Sequence, residues 1–242
     1  MVQPVTLELT LVEDVPGAYA TVVAAAVAAR QPGDPLRLAC SGGTTGRALA
    51  DRLAATAVEW AQLEVYFVDE RWVSPDSPDA NEAQVRQALG AKVGALAGFH
   101  PMRCADGAAA YEAVLAPAMP LDLVQLGVGP DGHTASLFPG SAALEAPAGR
   151  LVVENEDPSG RNRLRRCTLT YGAIAASRLV VVTLTGADKR PVLEQLAAGA
   201  DLPAARLRPG RLVWLVDPAA AGDLAAHPAS TEELVELGRG IR

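Results

Sequence analysis

The sequence predicts an α/β fold: a mainly parallel, doubly wound, Rossmann-like sheet with helices on both faces. Short apolar runs of the buried-strand type alternate with stretches whose apolar residues recur at helical spacing. Such near-continuous apolar strands are typical of parallel sheets covered on both sides. Aromatic residues make up only 4% of the 242 residues, so the core is aliphatic and an all-β sandwich is disfavoured. Because single cores stop growing at about 250 to 300 residues, we expect one domain over residues 1–242.

The elements follow a strand-then-helix order along the chain. The predicted strands are residues 5–12, 36–40, 65–68, 121–126, 151–153, 179–184 and 212–216, with a strand-like segment at 167–170. The predicted helices, each apolar on one face, are residues 18–30, 45–56, 81–89, 108–115, 189–197 and 231–237. Proline and polar clusters at 74–78, 117–120, 157–163 and 202–209 predict loops. Ligands of such sheets bind beyond the carboxyl ends of the strands, so the turns that follow strands are the expected site.

Composition and charge exclude several classes of protein. A net charge of -7 gives no basic field for a phosphate backbone, which disfavours nucleic acid and requires local donors for any small anion. The scattered Cys40, Cys104 and Cys167 and the three dispersed histidines lack metal-ligand spacing, so we expect no disulfide, metal or cofactor. The first ten residues carry no secretory signal, and no apolar run approaches the roughly 20 residues of a membrane span. We therefore expect a cytoplasmic protein without a membrane partner.

The turn after the strand at 36–40 is rich in small residues. It reads Ser41-Gly42-Gly43-Thr44-Thr45 and opens a helix. Glycines let a backbone approach a ligand closely, and free amides at a helix N-terminus attract an anion. The lysine of a Walker A loop is absent, so a nucleoside triphosphate is not indicated. An anion site and an ordinary capped turn are equally favoured.

A charged cluster follows the strand at 65–68. Asp69, Glu70 and Arg71 come directly after it, and Asn81 follows a proline-rich loop. Arg71 offers a fork of donors suited to phosphate, while Asn81 could cap the next helix or hydrogen-bond the cluster. A structural ion pair is the alternative, and for an isolated Asp-Glu-Arg it is the commoner outcome.

The turn after the strand at 121–126 contains a histidine. Residues 127–132 fit Gly-x-Gly-x-x-Gly, but Pro130-Asp131-Gly132 signals a turn rather than a helix start, which argues against a dinucleotide site. His133 lies two residues after the Asp131 carboxylate, and an imidazole with a pKa of about 6.5 can act as a base at neutral pH. A lone histidine is more often structural, but this edge of the sheet favours a catalytic role.

Basic residues cluster in the second half of the chain. Lys189 lies in the first turn of a predicted helix, where a cation opposes the macrodipole and so indicates either a bound anion or a solvated side chain. Arg161, Arg163, Arg165 and Arg166 form the densest basic run. We expect this run to supply the local donors that an anionic ligand needs.

Taken in order, these motifs resemble those of the 6-phosphogluconolactonases, within the wider family that includes glucosamine-6-phosphate deaminase. The resemblance covers nearly the whole chain, and its most specific part is the string Gly-Pro-Asp-Gly-His-Thr-Ala-Ser-Leu-Phe-Pro at 129–139. It also includes Arg166-Cys167-Thr168-Leu169-Thr170 and Gly186-Ala187-Asp188-Lys189. Gly46 and Ala80 stand where the family commonly has Pro and Ser, and neither change removes a donor or base that the chemistry needs.

The resemblance implies hydrolysis of the δ-lactone of 6-phosphogluconate, the second step of the oxidative pentose phosphate pathway, without cofactor or metal. His133 is the implied base, and Asp131 orients it or the substrate. The phosphorylated sugar lactone is expected among Ser41, Gly42, Gly43, Thr44, Thr45, Asp69, Arg71, Asn81, Gly129, Arg166 and Lys189. The oxyanion donors stay open between the amides of Gly42 and Gly43 and those near Gly129. The oligomeric state is also open, and a monomer is compatible with the sequence.

Two other functions compete with this one. A sugar-phosphate deaminase needs a carboxylate base, for which Asp69 is the candidate, and it would release ammonia. A non-catalytic sugar-phosphate sensor would carry a DNA-binding helix-turn-helix, and the first 35 residues hold no basic recognition helix.

Overall fold

A computed structural model of the protein describes residues 7–241. Its strands are β1 Leu9–Leu11, β2 Leu36–Cys40, β3 Leu63–Phe67, β4 Asp69–Arg71, β5 Gly98–Phe99, β6 Leu123–Leu126, β7 Val152–Asn155, β8 Arg166–Leu169, β9 Leu179–Leu184, β10 Leu212–Val216 and β11 Ala226–Pro228. Its α-helices are α1 Val15–Ala28, α2 Gly43–Ala54, α3 Asn81–Leu89, α4 Ala108–Leu115, α5 Tyr171–Ala175, α6 Arg190–Ala197, α7 Pro218–Ala221 and α8 Thr231–Arg239. The start of the predicted strand at 5–12, and most of the ten N-terminal residues expected to carry no signal, lie outside the described residues.

The core is an eight-stranded parallel sheet in the order β11-β1-β10-β9-β6-β2-β3-β5. Its central strands β6 and β9 are buried along their whole length, as their mostly apolar sequences require. The helices pack around the sheet, and one helical layer runs through α8, α1, α2 and α3. The predicted parallel α/β fold is therefore confirmed.

The strand order changes direction between β2 and β6. From β2 the chain passes through α2 to β3 on one side, whereas from β6 it continues to β9 on the other. The two loops that leave the carboxyl ends of these neighbouring strands diverge and leave a crevice, which is where open α/β sheets bind ligands. The loop at Ser41–Thr45 and the turn at Gly127–His133 border this crevice.

A second, antiparallel sheet in the order β4-β8-β7 was not predicted. Val68 joins it to the main sheet, because its N–H donates to the Cys40 carbonyl and its carbonyl accepts from Leu169 N. In this sheet Asp69 lies opposite Thr168 and Arg71 lies opposite Arg166. The small sheet thus carries the charged cluster from the end of β3 to one side of the crevice.

Local sequence explains where several helices begin. The Asp14 side chain caps α1, Thr170 caps α5, and Ser230 with Glu233 forms a capping box at α8. The short α5, α7, β5 and β11 were not predicted, because segments of two to five residues show no periodicity. Within residues 7–241 no helix is both long enough and apolar enough to cross a membrane.

Candidate active site

A cavity of about 420 Å³ occupies the crevice at the carboxyl ends of β2, β6 and β9. Every predicted site residue except Asp131 lines it, and Asp131 contacts the lining residue His133. The sequence missed a second group of lining residues, which consists mainly of small polar side chains: Ser136, Asn162, Thr183, Thr185 and Asp188. Single Ser, Thr or Asn residues in loops carry no spacing signal, so only the fold brings them together.

His133 and Asp131 form a hydrogen-bonded pair at the cavity wall. Asp131 Oδ1 lies 2.5 Å from His133 Nδ1 and also accepts the backbone N–H of His133 at 3.2 Å. Burial alone would raise the pKa of Asp131, but the hydrogen bond and charge of His133 hold it below its ordinary value. An ionised carboxylate can only accept, so the imidazole proton lies on Nδ1 and the Nε2 lone pair is free to take a proton.

The glycines of this turn make room for the imidazole. A Cβ on Gly129 would lie 2.1 Å from His133 Cε1, so no larger residue fits there without moving the ring. Gly129 N donates to the His133 carbonyl at 2.9 Å, and Gly132 adopts φ +80°, which favours glycine. Lys189 Nζ donates to the Val128 carbonyl at 3.0 Å, which brings this cation to the same turn.

Arg71 and Arg166 face each other across β4 and β8, and both line the cavity. Directly opposed like charges destabilise a sheet. Arg166 is only 8% exposed and forms no ion pair with a carboxylate of the described chain. Burial lowers its pKa, nearby Asp69 opposes this effect, and the charge of Arg71 adds to it. The Nε atoms of both arginines are buried without a hydrogen-bond partner among residues 7–241. This arrangement provides donors and positive charge for an anion.

Glu70 and Asp69 anchor the segment that carries Arg71. Glu70 accepts the backbone N–H groups of Arg71, Asn81 and Glu82, each at 2.7 Å, and so caps the start of α3 in place of a local side chain. Asn81 Nδ2 donates to Asp69 Oδ1 at 3.0 Å, and Ser136 Oγ donates to Asp69 Oδ2 at 2.5 Å. The cluster is therefore held by capping and side-chain hydrogen bonds, and among residues 7–241 neither Asp69 nor Glu70 forms the alternative ion pair with Arg71.

Some of the amides in the Ser41–Thr45 loop already have partners. Ser41 N donates to the Gln125 side chain at 3.0 Å, and Gly43 N donates to the Gln84 side chain at 2.8 Å. Thr44 and Thr45 occupy the first turn of α2, whose N–H groups have no intrahelical acceptor. In this loop, the backbone amides that remain to donate a hydrogen bond to an anion are therefore those of Gly42, Thr44 and Thr45.

The structure corrects the expectation for the basic run. Only Arg166 of the four arginines lines the cavity. Arg165 instead pairs with Glu154 and Glu156, each at 2.9 Å, and stacks on the Trp72 ring. Side chains alternate between the two faces of a strand. Arg165, directly before β8, therefore points away from the face on which Arg166 lines the cavity.

Asn162, which the sequence analysis did not single out, lines the cavity from the loop before β8. Asp157 shapes this loop by accepting hydrogen bonds from Ser159 N, Asn162 N and Asn162 Nδ2. Burial would raise the pKa of Asp157, but these hydrogen bonds lower it well below its ordinary value.

Within residues 7–241, no group of three or more His, Cys, Asp or Glu side chains could hold a metal ion.

Comparison with known proteins agrees with this geometry. Residues 10–214 match the family model described as glucosamine-6-phosphate isomerases/6-phosphogluconolactonase. The 6-phosphogluconolactonase of Nostoc sp. is 39% identical over 207 residues, which cover 78% of this chain and 84% of that protein. That of Mycobacterium tuberculosis is 38% identical over 226 residues, which cover 84% of this chain and 89% of that protein.

Solved structures show the same fold. The 6-phosphogluconolactonase of Trypanosoma brucei superimposes with a TM-score of 0.76 at 28% identity, covering 90% of this chain and 98% of that one. The Thermotoga maritima 6-phosphogluconolactonase gives 0.73 at 26% identity, covering 87% of this chain and 99% of that one. A monomeric glucosamine-6-phosphate deaminase, at 15% identity and a TM-score of 0.71, shares the fold alone. The chain belongs to the glucosamine-6-phosphate isomerase/6-phosphogluconolactonase family.

Proposed function

We propose that the chain is a hydrolase of the pentose phosphate pathway that opens 6-phosphoglucono-1,5-lactone to 6-phosphogluconate, with His133 as the general base. The observation that carries this proposal is the His133–Asp131 pair in one cavity with the opposed cations Arg71 and Arg166. Ester hydrolysis needs a base for water, and a phosphorylated substrate needs a cationic anchor. The names of the relatives support the same substrate.

His133 Nε2 accepts a proton from water as the water oxygen attacks the lactone carbonyl carbon, C1. The imidazolium that forms is stabilised by the ionised Asp131 on its other nitrogen. When the tetrahedral intermediate collapses, the bond between C1 and the ring oxygen breaks, and that oxygen takes the proton back from His133. One water is consumed, and the products are the carboxylic acid and the freed C5 hydroxyl.

The phosphate is held by Arg71, Arg166, Lys189 and the Thr44 and Thr45 amides. Charge-assisted hydrogen bonds are the strongest that proteins form, and burial at Arg166 increases their strength. The oxyanion requires a separate donor. Gly43 and Gly129 already donate to Gln84 and to the His133 carbonyl, which leaves the Gly42 amide as the candidate for that role.

The deaminase alternative requires Asp69 as a base for carbon-proton transfer. Each oxygen of the Asp69 carboxylate already accepts a hydrogen bond from a buried side chain, Ser136 or Asn81. These bonds occupy both oxygens and hold the group in the cavity wall, so they favour an orienting role over a proton-transfer role.

A continuous assay on freshly prepared 6-phosphogluconolactone tests the proposal, with the spontaneous hydrolysis rate measured in parallel. We expect a rate that exceeds this background in proportion to protein concentration. An ammonia-release assay on glucosamine 6-phosphate is the matched control and should give no signal. A lactone rate equal to background would refute the proposal, and ammonia release would favour the deaminase.

A further inference from the structure

Gln125 is the one polar residue of the buried strand β6, and both ends of its side-chain amide are hydrogen-bonded to residues of the cavity wall. The residue is 1% exposed. Its Oε1 lies 3.0 Å from Ser41 N and 2.6 Å from Ser41 Oγ, and its Nε2 lies 3.0 Å from Thr183 Oγ1. Because a backbone N–H can only donate, the atom that faces Ser41 must be the amide oxygen. The orientation of the Gln125 amide is therefore fixed by the backbone.

This orientation determines what Ser41 can offer a ligand. The Gln125 oxygen can only accept, so the Ser41 hydroxyl must donate its single proton to it. The Ser41 amide proton is committed to the same oxygen. Ser41 lines the cavity, so it presents hydroxyl lone pairs to a ligand and no proton. It can accept a hydrogen bond and cannot give one.

Thr183 has the same restriction. Its hydroxyl donates to the Leu126 carbonyl at 3.4 Å and accepts from Gln125 Nε2, which leaves only a lone pair for the cavity that it lines. Gln125 thus makes the Ser41 hydroxyl an acceptor, and the Leu126 carbonyl does the same for the neighbouring Thr183 hydroxyl. The cations Arg71, Arg166 and Lys189 of the same cavity can only donate.

A phosphorylated sugar lactone matches this division of donors and acceptors. Its phosphate oxygens accept and suit the cations, whereas its ring hydroxyls carry protons that an acceptor can bind. We propose that Gln125 is a positioning residue that makes Ser41 an acceptor for a ring hydroxyl of the sugar, and so contributes to substrate specificity. This proposal rests on the proposed lactonase function and assigns Ser41 to the sugar rather than to the phosphate.

The first test combines Gln125→Met, Ser41→Ala and the double variant. Methionine keeps the length and burial of the side chain but removes the acceptor, so Ser41 becomes free to turn and donate. We expect each single variant to raise KM for the lactone about tenfold, the size of one lost hydrogen bond, with a much smaller change in kcat. The double variant should be little worse than either single one, because both act on the same contact. Multiplied effects would overturn the proposal.

Gln125→Glu keeps the test valid if the methionine variant folds poorly. A protonated carboxyl group accepts from Ser41 with one oxygen and donates to Thr183 with the other, as the amide does, so KM should return to within about twofold of the parent value. Ser177→Ala is the control, because the side chain of this buried serine donates within its own segment, to the Ala173 carbonyl, and does not line the cavity among residues 7–241. It should leave KM unchanged. A glutamate variant as impaired as Gln125→Met would overturn the proposal.

Inhibition by inorganic phosphate separates a sugar contact from a phosphate contact. If Ser41 binds a ring hydroxyl, Gln125→Met should leave the inhibition constant of phosphate within about twofold of the parent value while KM rises. A matching rise in both constants would place Ser41 at the phosphate and overturn the proposal. A parent protein that phosphate does not inhibit would contradict the phosphate anchor on which the proposal rests. Failure of the lactonase function is distinguishable, because it appears as a parent rate equal to background.

Discussion

Replacing Asp131 by Asn removes the charge beside the general base but leaves its geometry in place. Asp131 Oδ1 accepts two donors, the His133 amide and the Nδ1 proton. An asparagine must therefore keep its oxygen there, since its NH₂ group would face both donors. The imidazole tautomer is preserved, and only the stabilisation of the imidazolium is lost. A charge-assisted hydrogen bond contributes about 1.5 to 3 kcal/mol, so kcat should fall about 10- to 150-fold with little change in KM.

The continuous lactone assay measures this effect, and Asp188→Asn is the matched control because it removes another carboxylate charge that lines the same cavity. That variant should retain kcat within about threefold of the parent value. A kcat for Asp131→Asn within twofold of the parent would refute the role of the charge. A fall of about 10⁴-fold would also contradict the reasoning, because a loss of that size indicates the wrong tautomer.

Three further predictions concern the anchor, the turn and the buried carboxylate. Arg166→Met should raise KM about 10- to 150-fold, because charge-assisted bonds to phosphate are lost. Arg165 does not line the cavity, so Arg165→Met should leave KM unchanged. Equal effects of the two substitutions would argue against an Arg166 contact with phosphate. Gly129→Ala should reduce kcat strongly, because its Cβ would lie 2.1 Å from the His133 ring, and parent-like turnover would contradict this placement. Burial raises the pKa of Glu70 from 4.5 to about 7. The folded state therefore holds this proton more tightly, and the stability that Glu70 contributes is lost as pH rises through about 7. Glu70→Gln should flatten the dependence of Tm on pH between about 4.5 and 7, and an unchanged slope in thermal unfolding would contradict the shift.

Much of the fold could be predicted because its strands are strongly apolar. β9 has the predicted ends at Leu179 and Leu184, and α3 has the predicted ends at Asn81 and Leu89. The antiparallel sheet could not be predicted, because β4 is a three-residue strand of charged side chains. Its pairing with the distant β8 depends on tertiary packing rather than on local propensity.

Part of the site could be predicted because its residues follow strands at one edge of the sheet. The position of His133 after Asp131 indicated a base, and the structure places both at the cavity. The cross-strand pairing of Arg71 with Arg166 has no local signal. Gln125 did leave a signal, a polar residue inside the buried run Leu-Val-Gln-Leu, because such a residue must find partners.

The central claim is that His133 takes the proton from water. The most direct test is kcat of His133→Ala in the continuous lactone assay after subtraction of the spontaneous rate, with the Kd of 6-phosphogluconate measured by calorimetry on the same preparation. Because general-base catalysis contributes about 10² to 10⁴, kcat should fall by a factor in this range while the Kd stays within about threefold of the parent value. A kcat close to that of the parent, with product binding intact, would contradict the mechanism.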